Sequence, residues 1–358
     1  MSRSANVDWS RALVLGIESS CDETAVALVR GGREILAHRV ASQTDLHRRF
    51  GGVVPEQACR AHMQVLLPEI QALLDDQDVR SDDLDGLAVT NRPGLIGALL
   101  TGVSAAKALA LAWDLPLVGV NHLESHVTAA RVAEPDLSPP FVALIASGGH
   151  TGMYLVGPGG TYRRLGGTRD DAAGEAFDKA AAVLDLPYPG GPSIERAARK
   201  GNSKAFPWKN ACLTSDGRDL SFSGIKTAVL YAARGRQAGR NERLTLDNQG
   251  VADAAASFQR AVVHALVTRT LQHAEACGVD WVALCGGVAA NRALRASLES
   301  EAARMGLRIA LPHRELCTDN AAMVAARGTE LLAAGVRDGL DLGASARDEP
   351  GPDGARGP

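Results

Sequence analysis

Phe141-Val142-Ala143-Leu144-Ile145-Ala146-Ser147-Gly148-Gly149-His150-Thr151 is an apolar run that breaks into a polar turn with two glycines. Such a run, bounded by turn residues, reads as a buried strand. Gly152 to Val156 reads as a second strand, Gly157-Pro158-Gly159-Gly160 as a hairpin turn, and Thr161 to Gly166 as a third strand. The same plan opens the chain. Leu13 to Ile17 is a strand, Glu18-Ser19-Ser20-Cys21-Asp22-Glu23-Thr24 a polar turn, Ala25 to Val29 a strand, Gly31-Gly32 a hairpin, and Glu34 to Ala41 a strand.

The segments after each meander repeat as well. In the first half come a helix over Gln57 to Leu74, a strand over Asp85 to Thr90, a Pro93-Gly94 turn, a long helix from Leu95, and a strand from Leu115 that leads to His122. In the second half come a helix over Ala252 to Ala276, a strand over Asp280 to Cys285, a Gly286-Gly287 turn and a helix over Asn291 to Met305. A strand over Arg308 to Leu311 then leads to Asp319, and a last helix covers Ala321 to Ala334. Duplication on this scale predicts an α/β fold of two similar lobes with a central cleft. The plan resembles the actin-like ATPase group, whose two polar hairpin turns hold nucleotide phosphates; that likeness alone implies only a nucleotide in a cleft. The predicted division is a flexible N-terminus over 1–11, one lobe over 12–135, a second over 136–340, and a disordered tail over 341–358.

Composition sets outer limits. The chain has 358 residues, 46% hydrophobic and 22% charged, which is ordinary for a protein that buries a core. A net charge of −3 gives no global basic field to advertise nucleic acid, although a local patch can still bind it. Six cysteines without a CxxC pair fit a reducing cytoplasm and indicate neither a zinc ribbon nor a redox dithiol. Met1 to Arg11 lacks the apolar core of a signal peptide, and Leu95 to Trp113, broken by Thr101, Ser104 and Lys107, reads as a buried helix and not a membrane span.

Three features carry chemistry. His122 and His126 are four residues apart, so on a helix both imidazoles share one face and can grip one metal ion. The duplication puts the Asp319 loop at the position equivalent to the His122 loop, which offers a third ligand. Ser147-Gly148-Gly149 and Gly286-Gly287 are strand-to-glycine turns whose backbone can approach a phosphate, and Asn291 opens a helix as a cap or a sugar or base contact. Asp171, Glu175 and Asp178 recur at helical spacing, as a solvated acidic face or as ribose acceptors. The rigid Tyr188-Pro189-Gly190-Gly191-Pro192 turn and Glu195 could press against the same sugar.

Taken in order, these segments together with Gly51 to Glu56, Leu220 to Thr227 and Cys317-Thr318-Asp319-Asn320 resemble the TsaD family, the tRNA adenosine threonylcarbamoyltransferases once described as glycoproteases. The resemblance runs from about Leu13 to Ala334. It implies transfer of a threonylcarbamoyl group from threonylcarbamoyl-AMP to N6 of the adenosine 3′ to the anticodon, in tRNAs reading codons that begin with A, with release of AMP. It implies one iron(II) ion, or zinc, held by His122, His126 and Asp319 from both halves. It implies substrate contacts at Ile145, Ala146, Ser147, Gly148, Gly149, Asp178, Gly191, Glu195 and Asn291. It implies tRNA, a TsaB-like paralogue and a TsaE-like ATPase as partners, and no membrane. The paralogue is expected on the apolar helix Gln57 to Leu74. Glu23 or Asp22 is expected to take the amine proton, against the plainer reading of turn capping. His38, Arg39, His47, Arg48 and Arg49, and separately Arg234 to Arg243, are candidate phosphate contacts, although each cluster reads equally as a solvated face.

Two rivals stand beside this reading. A metal-dependent protease of the zincin type needs Glu directly after the first His, where this chain has Leu123; Glu124 lies on another face. A nucleotide-dependent binding module of the actin group would have no use for the histidine pair.

Overall fold

The computed structural model describes residues 7–50, 52–235 and 243–347. The chain forms two compact units: the part up to Val132 with the part from Asp319 onward, and Ala133–Thr318 between them.

In the first unit, β1 (Leu13–Glu18), β2 (Glu23–Arg30), β3 (Glu34–Ser42), β4 (Gly86–Arg92) and β5 (Leu117–Asn121) form one sheet in the order β3-β2-β1-β4-β5. β1 runs antiparallel to β2 and parallel to β4. Every side chain of β1 is buried, as the uninterrupted apolar run requires for a strand covered on both faces. Helices α2 (Pro55–Asp76) and α3 (Ile96–Trp113) pack on each other, on β2 and on β4; α1 (Thr44–Arg48) is a short turn of helix before them.

In the second unit, β6 (Phe141–Ala146), β7 (Thr151–Gly157), β8 (Thr161–Gly167), β9 (Trp281–Cys285) and β10 (Arg308–Ala310) take the order β10-β9-β6-β7-β8. That is the first sheet's order again: a two-hairpin meander extended from its first strand by two parallel strands. The expected duplication is therefore present strand for strand. Helices α5 (Ala173–Val183), α6 (Gly190–Ala198), α7 (Ser223–Arg234), α8 (Asn248–Cys277) and α9 (Arg292–Arg304) complete the unit. Phe177 of α5 and Phe258 of α8 meet edge to face in its core, with ring centroids 5.2 Å apart.

The units differ from the expected division at one place. The last helix, α10 (Ala321–Ala333), packs on β1, β2, β4 and β5 of the first sheet. The 136–340 lobe therefore ends at Thr318, and the chain from Asp319 onward belongs with the first. The cause is close packing of small residues. A Cβ on Gly328 would lie 2.2 Å from that of Ala88 on β4, and a Cβ on Gly16 of β1 would lie 2.4 Å from the Ala321 carbonyl oxygen. Only glycines at both positions let an alanine-rich helix sit this close to the strands.

The tail also departs from expectation. Leu342 is buried in the first unit's core, Asn91 donates from Nδ2 to the Gly343 carbonyl at 3.1 Å, and the Ser345 N–H donates to the Asn91 carbonyl. Residues 341–347 are thus held by the core; the remainder of the expected disordered tail, and residues 1–6 of the expected flexible N-terminus, lie outside the described residues. So does 236–242 within the Arg234 to Arg243 candidate.

Helix α3 is long and apolar enough, by length and composition, to cross a membrane. It is not buried all round. Ala98, Leu99, Gly102, Val103, Ala106 and Ala110 face the core, while Ile96, Leu100 and Leu111 are exposed.

Candidate metal centre and nucleotide turns

The histidine pair sits where strand β5 becomes helix α4 (His122–Ala133). Asn121 makes that junction sharp. Its side-chain oxygen accepts the backbone N–H of Leu123 at 2.8 Å and of Glu124 at 3.3 Å, satisfying donors left free at a helix start. His122 and His126 then project from successive turns, their rings 4.7 Å apart and edge to face.

Asp319 immediately precedes Asn320, which caps α10 by accepting from Met323 N–H at 3.0 Å. Because α10 is seated on the first sheet, Asp319 arrives beside the pair. Its Oδ1 lies 3.4 Å from His122 Nε2 and 3.2 Å from His126 Nε2, and one donor atom from each residue falls within 4.8 Å of the others. All three belong to the first unit. This corrects the expectation of a clamp with one arm in each half: equivalence in the duplication led to the right residue, but the helix that carries it returns to the sheet that carries the histidines.

A fourth residue orders the cluster. Glu18, at the end of β1, is fully buried and accepts from Ser20 N–H at 2.6 Å and from Thr90 Oγ1 at 2.6 Å. Its Oε2 lies 3.0 Å from His122 Nδ1, so a proton there is held by the carboxylate, and Nε2, on the Asp319 side, is the nitrogen left to ligate a metal. Burial alone would raise the Glu18 pKa, but His122 holds it below the ordinary carboxylate range. Burial likewise opposes a charge on His122, and Asp319 with Glu18 overcomes it and raises that ring well above its usual value. Asp319 itself is held far below its usual value by His122 and His126 despite burial. On His126 the desolvation wins and the ring favours its neutral form, while its Nδ1 is buried without a hydrogen-bond partner among the described residues.

Once a metal displaces the Nε2 proton of His122, two neutral imidazoles and one carboxylate, with a carboxylate behind one ring, form a donor set that suits a borderline divalent ion. Glu124, on another face of the helix from the pair, is held by Arg327 of α10 at 2.8 Å.

Of the two acids on the opening turn, Glu23 is the informative one. Burial, aided by the charges of Asp22 and Asp319, raises its carboxyl to about 7 although Ser42 Oγ donates to it at 2.8 Å. Its Oε2 is buried with no hydrogen-bond partner among the described residues. Asp22 offers its backbone carbonyl to the Gln43 N–H.

In the second unit the predicted substrate residues come together as a set of joined turns. The Gly174 N–H at the start of α5 donates to the Ser147 carbonyl at 3.0 Å. Asp178 Oδ1 accepts from Gly190 N–H at 2.7 Å, tying α5 to the turn that carries Gly191. Gly286, at φ +87°, passes so near Ala146 that a Cβ would meet its carbonyl oxygen at 2.5 Å. Gly148, Gly149 and Gly191 face open space. Ile145 and Ala146 are fully buried in β6, backbone included, so the open part of the turn begins after them, at Gly148. Asn291 caps α9 through Leu294 N–H at 3.0 Å and donates to Gln259 at 2.9 Å, which is its plainer role. Glu195 lies within α6 and pairs with Arg199 at 3.3 Å and Arg292 at 3.8 Å. Asp171 precedes α5 and is neutralised by Lys179 and Lys226.

Among the candidate phosphate contacts, His47 is wholly buried and bonded to Gln43, which removes it from the set. Arg39 is engaged by Glu69 at 2.7 Å and Asp76 at 2.9 Å, and Arg48 by Asp45 at 2.9 Å. Sequence reasoning passed over Glu18 as a ligand support. A carboxylate closing an all-apolar strand was the signal, since such a group is buried only with partners.

The profile of the TsaD family, tRNA N6-adenosine threonylcarbamoyltransferase, matches residues 34–326. A relative of that name from Symbiobacterium thermophilum is 52% identical over 94% of this chain and 96% of its own length. Another from Moorella thermoacetica is 50% identical over 87% and 89%. Among solved structures, HypF from T. kodakarensis superposes with a TM-score of 0.58 at 16% identity, over 90% of this chain and 48% of that one. Component A of the Acidaminococcus fermentans (R)-2-hydroxyglutaryl-CoA dehydratase gives 0.52 at 15%, over 90% and 99%. At such identities these structures speak for the fold, which is the expected actin-like ATPase fold. With profile and relatives agreeing along nearly the whole length, the chain belongs to the TsaD family of tRNA N6-adenosine threonylcarbamoyltransferases.

Proposed function

We propose that this protein transfers a threonylcarbamoyl group from threonylcarbamoyl-AMP to N6 of the adenosine 3′ to the anticodon in tRNAs reading codons that begin with A. The observation that carries this reading is the His122–His126–Asp319 donor set with Glu18 behind it, in a chain whose relatives bear that activity's name. The N6 nitrogen attacks the carbamoyl carbon, the new C–N bond forms, and the C–O bond to phosphate breaks as AMP leaves with the electron pair. The amine is a weak nucleophile, so positioning and proton removal carry the rate.

In the second unit, the open backbone at Gly148 and Gly149 suits the anhydride phosphate, and the Gly191 turn with Asp178 beside it suits the sugar. In the first, Glu23 takes the amine proton: a carboxyl titrating near 7 is matched to a base working at neutral pH. Asp22 supports it by raising that value. His122, His126 and Asp319 would hold one iron(II) or zinc ion, which when bound supplies Lewis-acid polarisation of a donor oxygen.

The setting we propose is the cytoplasm, with a TsaB-like paralogue and a TsaE-like ATPase. The surface best suited to the paralogue is the exposed apolar face of α2 and α3, where Met63, Leu67, Ile96 and Leu100 are each about half exposed or more. Depleting the protein from its cells and quantifying threonylcarbamoyladenosine in digested tRNA tests the function. A fall restored by wild-type protein, and not by Glu23→Gln, is the expected result; modification unchanged on depletion overturns it.

A further inference from the structure

The chain between Arg196 and Lys209 reads RAARKGNSKAFPWK: five cations and no acid, in a protein of net charge −3. It leaves the end of α6 and runs along one side of α8, pinned at successive turns of that helix. Gln249 donates from Nε2 to the Lys200 carbonyl at 3.2 Å, and Asp253 accepts the Asn202 N–H at 2.7 Å. Ser257 Oγ accepts the Phe206 N–H at 3.2 Å, and Arg260 donates to the Ser203 carbonyl at 3.3 Å. Phe206 and Trp208 stack at 4.5 Å and pack on the unit's core, which fixes the far end.

The pinning side chains bond the backbone and leave the lysine ammonium groups unengaged. Lys200, Lys204 and Lys209 are exposed, as is Arg196, and none of the four forms an ion pair among the described residues. The carboxylates at hand are occupied: Glu195 by Arg199 and Arg292, Asp253 by Asn202 and Gln249, and Glu301 by Arg304. At the far end, burial and then the charges of Lys209 and Arg260 disfavour a proton on His264, so those two cations gather there. From Gln249 to His264 the ridge spans about 22 Å of helix.

We infer that Arg196, Lys200, Lys204, Lys209 and Arg260 form a track for the phosphate backbone of the acceptor tRNA. A fixed line of unpaired cations is what a polyanion of regular charge spacing requires, and free lysines cost little to hold until it arrives. The track begins one residue after Glu195, on the same helix as Gly191, so backbone laid on it runs toward the turns assigned to the donor. This rests on the tRNA-modifying reading above.

The test is the Lys200→Gln/Lys204→Gln/Lys209→Gln variant of the full chain, with a tRNA transcript titrated at several salt concentrations. Three lost phosphate contacts should make the slope of log K against log salt shallower by about 2 to 3, with thermal stability and metal uptake unchanged. Arg30→Gln/Arg33→Gln/Arg80→Gln, an equal loss of charge at exposed positions of the first unit, should leave the slope nearly as in wild type. An unchanged slope in the triple variant, while wild-type protein binds and modifies tRNA, overturns the track alone. Equal effects from both variants also overturn it, because net charge and not position would then be responsible. A wild-type protein without salt-dependent tRNA binding overturns the function and the track together.

Discussion

Replacing Glu18 by Gln removes a charge and nothing of the shape, and its consequences can be worked out from its three donors. Ser20 N–H converges on Oε1, and Thr90 Oγ1 and His122 Nδ1 on Oε2. An amide has one accepting oxygen. If its NH2 takes the Oε2 place, it faces His122 Nδ1; the ring answers by moving its proton to Nε2, the nitrogen aimed at Asp319, and a protonated nitrogen cannot ligate. If the NH2 takes the Oε1 place, it faces the buried Ser20 N–H and leaves that donor unpaired, at a cost of about 1–3 kcal/mol in stability. Thr90 can turn its hydroxyl to accept, so the first arrangement is the cheaper one to fold. Loss of such a support costs roughly 10- to 100-fold in metal affinity, or about 1.4–2.8 kcal/mol. The measurement is competition for Zn2+ against a chelator of known affinity, wild type beside Glu18→Gln, with thermal melts of both metal-free proteins. Weaker metal binding with a small change in melting is the expected result. Wild-type affinity together with a wild-type melt would refute the reasoning, because neither consequence of the missing acceptor would have appeared.

Gly328→Ala should destabilise the protein by about 2–3 kcal/mol in denaturant titration even though alanine is the better helix former, because its Cβ would lie 2.2 Å from that of Ala88; Gly343→Ala, with nothing near its Cβ, is the neutral comparison. Glu23→Gln should change stability with pH. The wild-type carboxyl is raised from 4.5 to about 7, so folding favours its protonated form: that contribution is whole below about 4.5 and is lost as pH rises through 7. The metal-free variant should match wild type at pH 4.5 and exceed it at pH 8 by about 1–2 kcal/mol, the ceiling of about 3 being reduced for partial exposure; a gap independent of pH counts against it. Met63→Glu/Leu100→Glu should abolish a heterodimer with a co-expressed TsaB-like paralogue while leaving the monomer's melt within a degree or two, both side chains being exposed.

The sheets were legible because each strand announced itself locally. Uninterrupted apolar runs at Leu13, Phe141 and Trp281, closed by glycine or polar turns, marked the strands, and the repeated plan marked two like sheets, whose registers and strand orders come from pairing across the chain. Helix α7 was legible in principle from Ile225, Val229 and Ala233, buried at intervals of four, yet its serine-rich start reads more readily as a loop. The outer face of α3 misled, because apolar residues that core packing does not use look the same in sequence as those it does. Roles that depend on which partner a side chain finds were the least legible: Arg48 beside Asp45, and Asn291 between a helix start and Gln259.

Asp319 shows where local reasoning stops. Its residue type and its place in the repeat made it a candidate ligand, but the repeat also assigned it to the other half. What brings it to His126 is the seating of α10 on β1 and β4, decided by contacts such as Gly328 against Ala88, far apart in the chain and silent in any local pattern. The metal donors, Glu18 and the helix that delivers Asp319 therefore form one packing unit. Gly328→Ala, in lifting α10 from the sheet, should accordingly weaken Zn2+ binding as well as folding. A substitution at Gly148, in the other unit, should leave Zn2+ affinity where it is. A metal site shared between the halves would give the opposite pattern, with affinity sensitive to both.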